Sequence, residues 1–196
     1  MQEQSFIQLR NAISRFIKLE DSDWELLVPF IEEKHLSKHD VFAREGKIAT
    51  EIGFVLDGDM RHYYTRDGIE KTTYFYFEGH FVSSYLSCVT RTPSELSIEA
   101  MTNCTLLVFP YSRMKQLFEV SHKWERFGRL IAEYLAIGLE QRMVGLLMLS
   151  PEERYIQLLE GNKQKIIERI PQHYISSYLG ITPVSLSRIR QRLTNK

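Results

Sequence analysis

The sequence predicts an α+β chain, and three observations carry that prediction. Short β-rich runs fill the stretch from about Lys34 to Phe109, punctuated by Gly46, Gly58, Gly68 and Gly79 at spacings of 12, 10 and 11 residues. A long apolar helical stretch follows, from Ser121 to Leu149. Two short helices flanking Gly180 come near the end. Several short strands at such spacing suggest a sandwich or barrel, and strands set apart from helices along the chain mark the α+β class. Three units are expected: a sensor-like β domain over 1–110, connecting and dimerisation helices over 111–149, and a helix-turn-helix unit over 150–196.

Residues 1–31 read as helices. Phe6, Ile7, Leu9, Ile13, Phe16 and Ile17 form one apolar stripe, and Asp21 or Ser22 can begin a second helix, with Glu25 three residues after Ser22 in the capping-box arrangement. The expected strands are Asp40–Ala43, Glu51–Leu56, Met60–Thr65, Lys71–Phe77, Phe81–Leu86, Leu96–Ala100 and Thr105–Phe109. Arg66-Asp67-Gly68 between two alternating runs is a hairpin signal.

Pro110 closes the β region, and Tyr111–Val120 forms a short helix. The long helix after Ser121 is apolar nearly all round, so it needs burial on several sides. One side is expected against the β domain and another against a second copy, giving a homodimer; the alternative is a single core helix in a monomer. Ser150-Pro151-Glu152-Glu153 supplies a cap, a proline at the first helical position and acids in the first turn. Gly161 ends that helix, and Gln164–Ile170 reads as a connector.

From Pro171 to Leu193 the pattern is helix, turn, helix. Tyr174, Ile175, Tyr178 and Leu179 give one apolar face, Gly180 can take the left-handed conformation that stops a helix, Thr182 can cap the next one, and Pro183 fits its first position. Val184, Leu186, Ile189 and Leu193 supply the apolar side of the second helix. That helix holds no acid, while Arg188, Arg190 and Arg192 fall on other faces. Cations without counter-charges suit a helix that lies against phosphates.

The chain holds 25 Lys plus Arg and 25 Asp plus Glu. Split at residue 150, the balance is informative: residues 151–196 hold eight basic and four acidic residues, and the first 150 hold 17 and 21. A basic end on an acidic body would orient the molecule at a polyanion. Cys88 and Cys104 lack zinc-finger or C-x-x-C spacing and are expected to be reduced and buried. No apolar run is long enough to span a bilayer, and the start has no signal-peptide character, so a cytoplasmic protein is expected.

The succession of helices, periodic-glycine strands, long helix and C-terminal helix-turn-helix resembles the Crp/Fnr family of bacterial transcription regulators. Its most specific part is Ile170–Leu193, with Gly180 at the turn and Ser187-Arg188-Ile189 in the recognition helix. The resemblance implies a cyclic-nucleotide-binding β-roll (a double-stranded β-helix), a dimerisation helix and a winged helix-turn-helix that binds a palindrome on double-stranded DNA. The implied pairing residues on the long helix are Phe127, Leu130, Ile131, Tyr134, Leu135 and Gly138. Activation would bring contact with RNA polymerase.

The family's phosphate cassette runs Gly-Asp-Phe-x-Gly-Glu-Leu, with Arg-Ser about ten residues on. There the Glu binds the ribose hydroxyl and the Arg the cyclic phosphate. Here the first part is Gly79-His80-Phe81-Val82-Ser83-Ser84-Tyr85, and Ser94-Glu95 stands for Arg-Ser. A buried phosphodiester needs a paired cation. Arg91, three residues upstream, would serve only if the loop shifted. The chain is therefore expected not to respond to cyclic AMP, to need no cofactor and to carry no metal. Two cysteines cannot hold the four-thiolate cluster of the oxygen-sensing branch. His39, His62 and His80 are the imidazoles available for the haem-sensing branch, and none stands out as a ligand.

Toward DNA, Arg188 is expected to contact guanine. Val184 can touch a thymine methyl, and Ser185 a base or phosphate. Arg190 and Arg192 would meet phosphates, and Gln172 and His173 lie near the backbone. Thr182, Pro183 and Ser187 complete the candidate interface. The rival reading is a β-roll small-molecule sensor or adaptor without sequence-specific DNA binding. An enzyme is not expected: the six His are scattered, and no Ser-His-Asp pattern, P-loop or dinucleotide fingerprint occurs.

Overall fold

The computed structural model describes residues 2–160 and 164–194. Among the described residues, eight strands form two four-stranded antiparallel sheets. Sheet A has the order β1 (Glu32–Leu36), β8 (Cys104–Pro110), β3 (Glu51–Asp57), β6 (Phe81–Val82). Sheet B has the order β2 (Val41–Ala43), β7 (Ser97–Ala100), β4 (Met60–Arg66), β5 (Ile69–Tyr76). The inner faces share one core, with Val55, Val82, Leu106 and Val108 from sheet A meeting Met60, Tyr76, Ile98 and Ala100 from sheet B.

Both outer faces are covered as well, which is why several strands read as apolar runs rather than strict alternations. Phe54, Leu107 and Phe109 of sheet A pack against α1 (Gln2–Ser14), α4 (Tyr111–Val120) and the start of α5 (His122–Met148), where Trp124 and Phe127 are buried. Phe75 of sheet B, with Phe77 and Met101 just beyond its strands, packs against the C-terminal helices. These are α6 (Pro151–Glu160), α7 (Gln164–Arg169), α8 (Gln172–Leu179) and α9 (Pro183–Thr194).

The β4–β5 hairpin turns at Asp67 and Gly68, both with positive φ (53° and 75°), which is what a two-residue type I′ turn demands. Ser150 caps α6 reciprocally: Glu153 N–H donates to its hydroxyl, and its own N–H donates to the Glu153 carboxylate at 2.8 Å.

Several expectations are corrected. Ile7 is exposed rather than part of the α1 core stripe. The helix α2 (Asp21–Glu25) is capped by Glu20 with Asp23 in the reciprocal role, not by Ser22 with Glu25. Ser121 precedes α5 without a side-chain capping bond. The run Phe81–Leu86 is strand only to Val82; Ser84 then turns inward and α3 (Tyr85–Thr90) follows. Strand β1 has no counterpart among the expected strands, because its charged residues sit at a sheet edge where they can reach water and so lack an apolar run. Gln164–Arg169 is helix rather than connector. Among the described residues no strand follows Pro110, so no wing hairpin is seen there, and Gly161 lies outside the described residues. No helix is long and apolar enough to cross a membrane among the described residues. Cys88 and Cys104 are unpaired and buried, and burial pushes both thiols up from their ordinary range.

Candidate nucleic-acid interface and the roll interior

The helix-turn-helix is built by local chemistry. α8 ends where Gly180 enters the left-handed region at φ 71°. Gly180 N–H then donates to Ser177 C=O and Ile181 N–H to Ser176 C=O, both at 3.0 Å, the paired bonds of a Schellman stop. Thr182 starts α9 by accepting from Ser185 N–H at 3.1 Å, with Pro183 in the first position. Leu186 and Ile189 of α9 are buried with Ile175, Tyr178 and Leu179 of α8, which fixes the two helices against each other.

The remaining face of α9 is open. Ser187, Arg188, Arg190 and Gln191 are exposed, as are Gln172 and His173 at the start of α8. Gln172, Ser187, Arg190, Gln191 and Thr194 line a shallow cleft of about 290 Å³ between the two helices. Val184, expected on the apolar side, is 59% exposed and stands on the open face. Pro183 is exposed too, Thr182 Oγ1 lies 2.9 Å from the Ser185 hydroxyl, and Ser185 is half-buried. Arg192 differs from the expectation of an uncompensated cation. Its guanidinium donates twice to Glu152 Oε2 of α6, at 2.6 and 3.2 Å, a partner more than one helix away in sequence and so invisible to local patterning.

In the long helix, Phe127, Leu130 and Ile131 do not form an outward pairing face. They pack into the core that α5 shares with sheet A. Tyr134 and Leu135 are exposed, and Gly138 has open space around it. Further along, Ile137, Leu139, Met143, Val144, Leu146, Leu147 and Met148 are exposed too. Tyr134, Ile137, Gln141, Val144 and Met148 recur at alternating intervals of three and four, the seam of a coiled coil with one polar member.

The cassette region is closed upon itself. Ser84 and Ser94 are 2% and 3% exposed. Their hydroxyls lie 2.8 Å apart, and Ser94 also donates to Leu96 C=O at 2.7 Å. Ser83 Oγ donates to Glu51 C=O at 3.3 Å. Gly79 turns at φ 86°, Phe81 stacks edge-on against Phe127, and Tyr85 against Tyr111. Arg91 sits exposed at the left-handed end of α3, and Glu95 is exposed, so neither enters the buried pair. Phe42 fills space opposite Gly53, whose added Cβ would lie 3.2 Å from its ring and 2.8 Å from Val82. In sheet B and the turn after it, His62, Tyr74, Tyr76 and His80 form a chain of ring contacts. Burial lowers the His62 imidazole to about 4 and lowers His80 as well. His39 lies apart, in a turn.

A family model, the cyclic nucleotide-binding domain, matches residues 33–121. Among solved structures, FixK2 from Bradyrhizobium japonicum is 19% identical, with a TM-score of 0.70 over 84% of this chain and 85% of that one. The c-di-GMP-responsive global regulator CLP from Xanthomonas campestris is 16% identical, with a TM-score of 0.66 over 90% and 92%. A crp/fnr-family protein from Eubacterium rectale is 17% identical, with a TM-score of 0.67 over 90% and 84%. No curated protein sequence matches the chain. Residues 33–121 are therefore similar to the cyclic nucleotide-binding domain family. Over most of its length the chain has the fold of the Crp/Fnr regulators.

Proposed function

We propose that this chain is a homodimeric, DNA-binding transcription regulator that acts on a near-palindromic operator without responding to cyclic AMP. One observation carries the DNA reading: the open face of α9 presents Arg188 and Arg190 with no acid on the same helix. Gln172 and His173 flank that face from the start of α8. Arg188 would read a base edge and Arg190 a phosphate. The dimer reading is supported by the exposed seam of α5, since apolar surface of that extent usually marks an interaction site. Two recognition helices would then enter successive major grooves about 34 Å apart.

The reading on cyclic AMP is supported by the buried Ser84–Ser94 pair. Among the described residues no cationic side chain is hydrogen-bonded to either hydroxyl, and the two hydroxyls already satisfy each other. Binding of purified protein to fluorescent duplexes at several salt concentrations tests the function. Sequence-dependent affinity with a negative salt slope is expected. Failure to bind any duplex at low salt would leave the β-roll sensor or adaptor as the better reading.

A further inference from the structure

Sheet B grips the helix-turn-helix through its outer face. Arg61 of β4 is 3% exposed. Its guanidinium lies between the rings of Tyr63 and Tyr174, 4.0 and 4.2 Å from their centroids. Glu70 at 2.6 Å and Glu99 at 2.8 Å neutralise it. Tyr174 belongs to α8, so a buried, paired cation of the roll stacks directly on the first helix of the reading head. Nearby, Thr72 N–H donates to Ser177 Oγ at 3.0 Å. Phe75, Phe77 and Met101 share a core with Tyr155, Ile170 and Tyr178 of the head. At the margin, Glu78 accepts from Lys165 and Arg169, each at 2.7 Å, and Asp59 accepts from Arg169 at 3.0 Å. From the opposite side, Arg142 of α5 stacks 3.7 Å over the Tyr178 ring and donates to the Tyr178 carbonyl.

The chain linking α5 to the head is only Leu149 and Ser150. A link that short limits the reach of the head but leaves its orientation to whatever it rests on. Here the head cannot swing without baring the shared core and separating Arg61 from Tyr174.

We infer that the grip of β4, β5 and α5 on α8 sets the separation of the two reading helices in the dimer, and thereby selects operators by half-site spacing. This rests on the dimeric DNA-binding reading above. Two rigidly held heads engage both half-sites only when the spacing matches, and avidity vanishes when geometry forbids simultaneous contact. Heads released from the roll would accept several spacings. Arg61, Ser177 and Glu78 are positioning residues in this scheme, since none needs to touch DNA.

The test uses the full chain and two independent ways to loosen the grip. Ser177→Tyr wedges α8 away from β5 without altering the buried face of the head. Glu78→Lys sets three cations together, and Glu78→Lys with Lys165→Glu restores an opposite-charge pair. Spin labels on Arg66→Cys and Gln191→Cys report the roll-to-head distance without DNA, the two native cysteines being buried. A narrow distribution is expected in the parent, a broad one in both single variants, and a narrow one in the charge-swapped double variant. On palindromes differing by half a helical turn in spacing, the parent should discriminate about a hundredfold and the loosened variants less than about tenfold. Narrow distances in both single variants would overturn the grip. Broadened distances with discrimination intact would overturn its role in spacing. Should the parent bind no duplex, the DNA reading falls, and the spacing claim with it; the distance measurement still decides the grip.

Discussion

The hydroxyls of Ser84 and Ser94 are hydrogen-bonded to each other at 2.8 Å across the buried end of the roll. Ser94 donates onward to Leu96 C=O, so the Ser84 hydroxyl must be the donor within the pair. Titration calorimetry with cyclic AMP and cyclic GMP should therefore give no micromolar binding. Ser94→Ala strands both a donor and a carbonyl and should destabilise the chain by about 1–3 kcal/mol. Ser84→Ala leaves Ser94 Oγ still accepting from Leu96 N–H at 3.3 Å and should cost less; denaturant unfolding ranks the two.

Arg188, Arg190 and Arg192 should separate in DNA binding. Arg188→Ala is expected to cost about 1–3 kcal/mol and to relax preference at one base position. Arg190→Ala should weaken all sequences alike and lower the salt slope by about one. Arg192→Ala should leave that slope nearly unchanged, because Glu152 already holds the guanidinium. Anisotropy titrations over a salt series read all three.

Ile137 and Val144 should hold the dimer together. Ile137→Asp or Val144→Asp puts a charge in the apolar seam and should yield monomers in sedimentation equilibrium, with the roll still folded. Gln141→Leu should tighten association while loosening the choice of register, as removal of a lone polar seam residue does. Unchanged association in the aspartate variants would move the interface elsewhere.

His62 gives the fold an acid sensitivity. Burial, opposed by a backbone hydrogen bond, lowers its folded value to about 4 from 6.5. Between those values the unfolded chain binds more protons, so stability is fully present above about pH 6.5 and is lost as pH falls through 4. The contribution is on the order of 3 kcal/mol. Unfolding of His62→Gln across that window should show a flatter pH dependence than the parent.

Much of this was legible from residue order. The glycine spacing, the Asp67-Gly68 turn, the Ser150 capping box and the Gly180 stop are local devices, and local devices leave local marks. The helix α3 was missed because Tyr85, Leu86 and Val89 are apolar on its outer side and mimic a strand. The orientation of α5 was misjudged at Phe127, Leu130 and Ile131, since an all-round apolar helix does not say which face meets its own sheet. Arg192–Glu152, Arg61–Tyr174 and Arg169–Glu78 were invisible. Each joins residues brought together only by the docking of separate elements.

The helical coverings on both outer sheet faces have an evolutionary corollary. Strands such as β3 and β8 have few positions left where a polar substitution would go unpunished. Sequence drift should therefore concentrate on the hairpin tip, on α3 and on the solvent side of α9. A lineage could thus retune which operators it reads while its interior stays almost frozen.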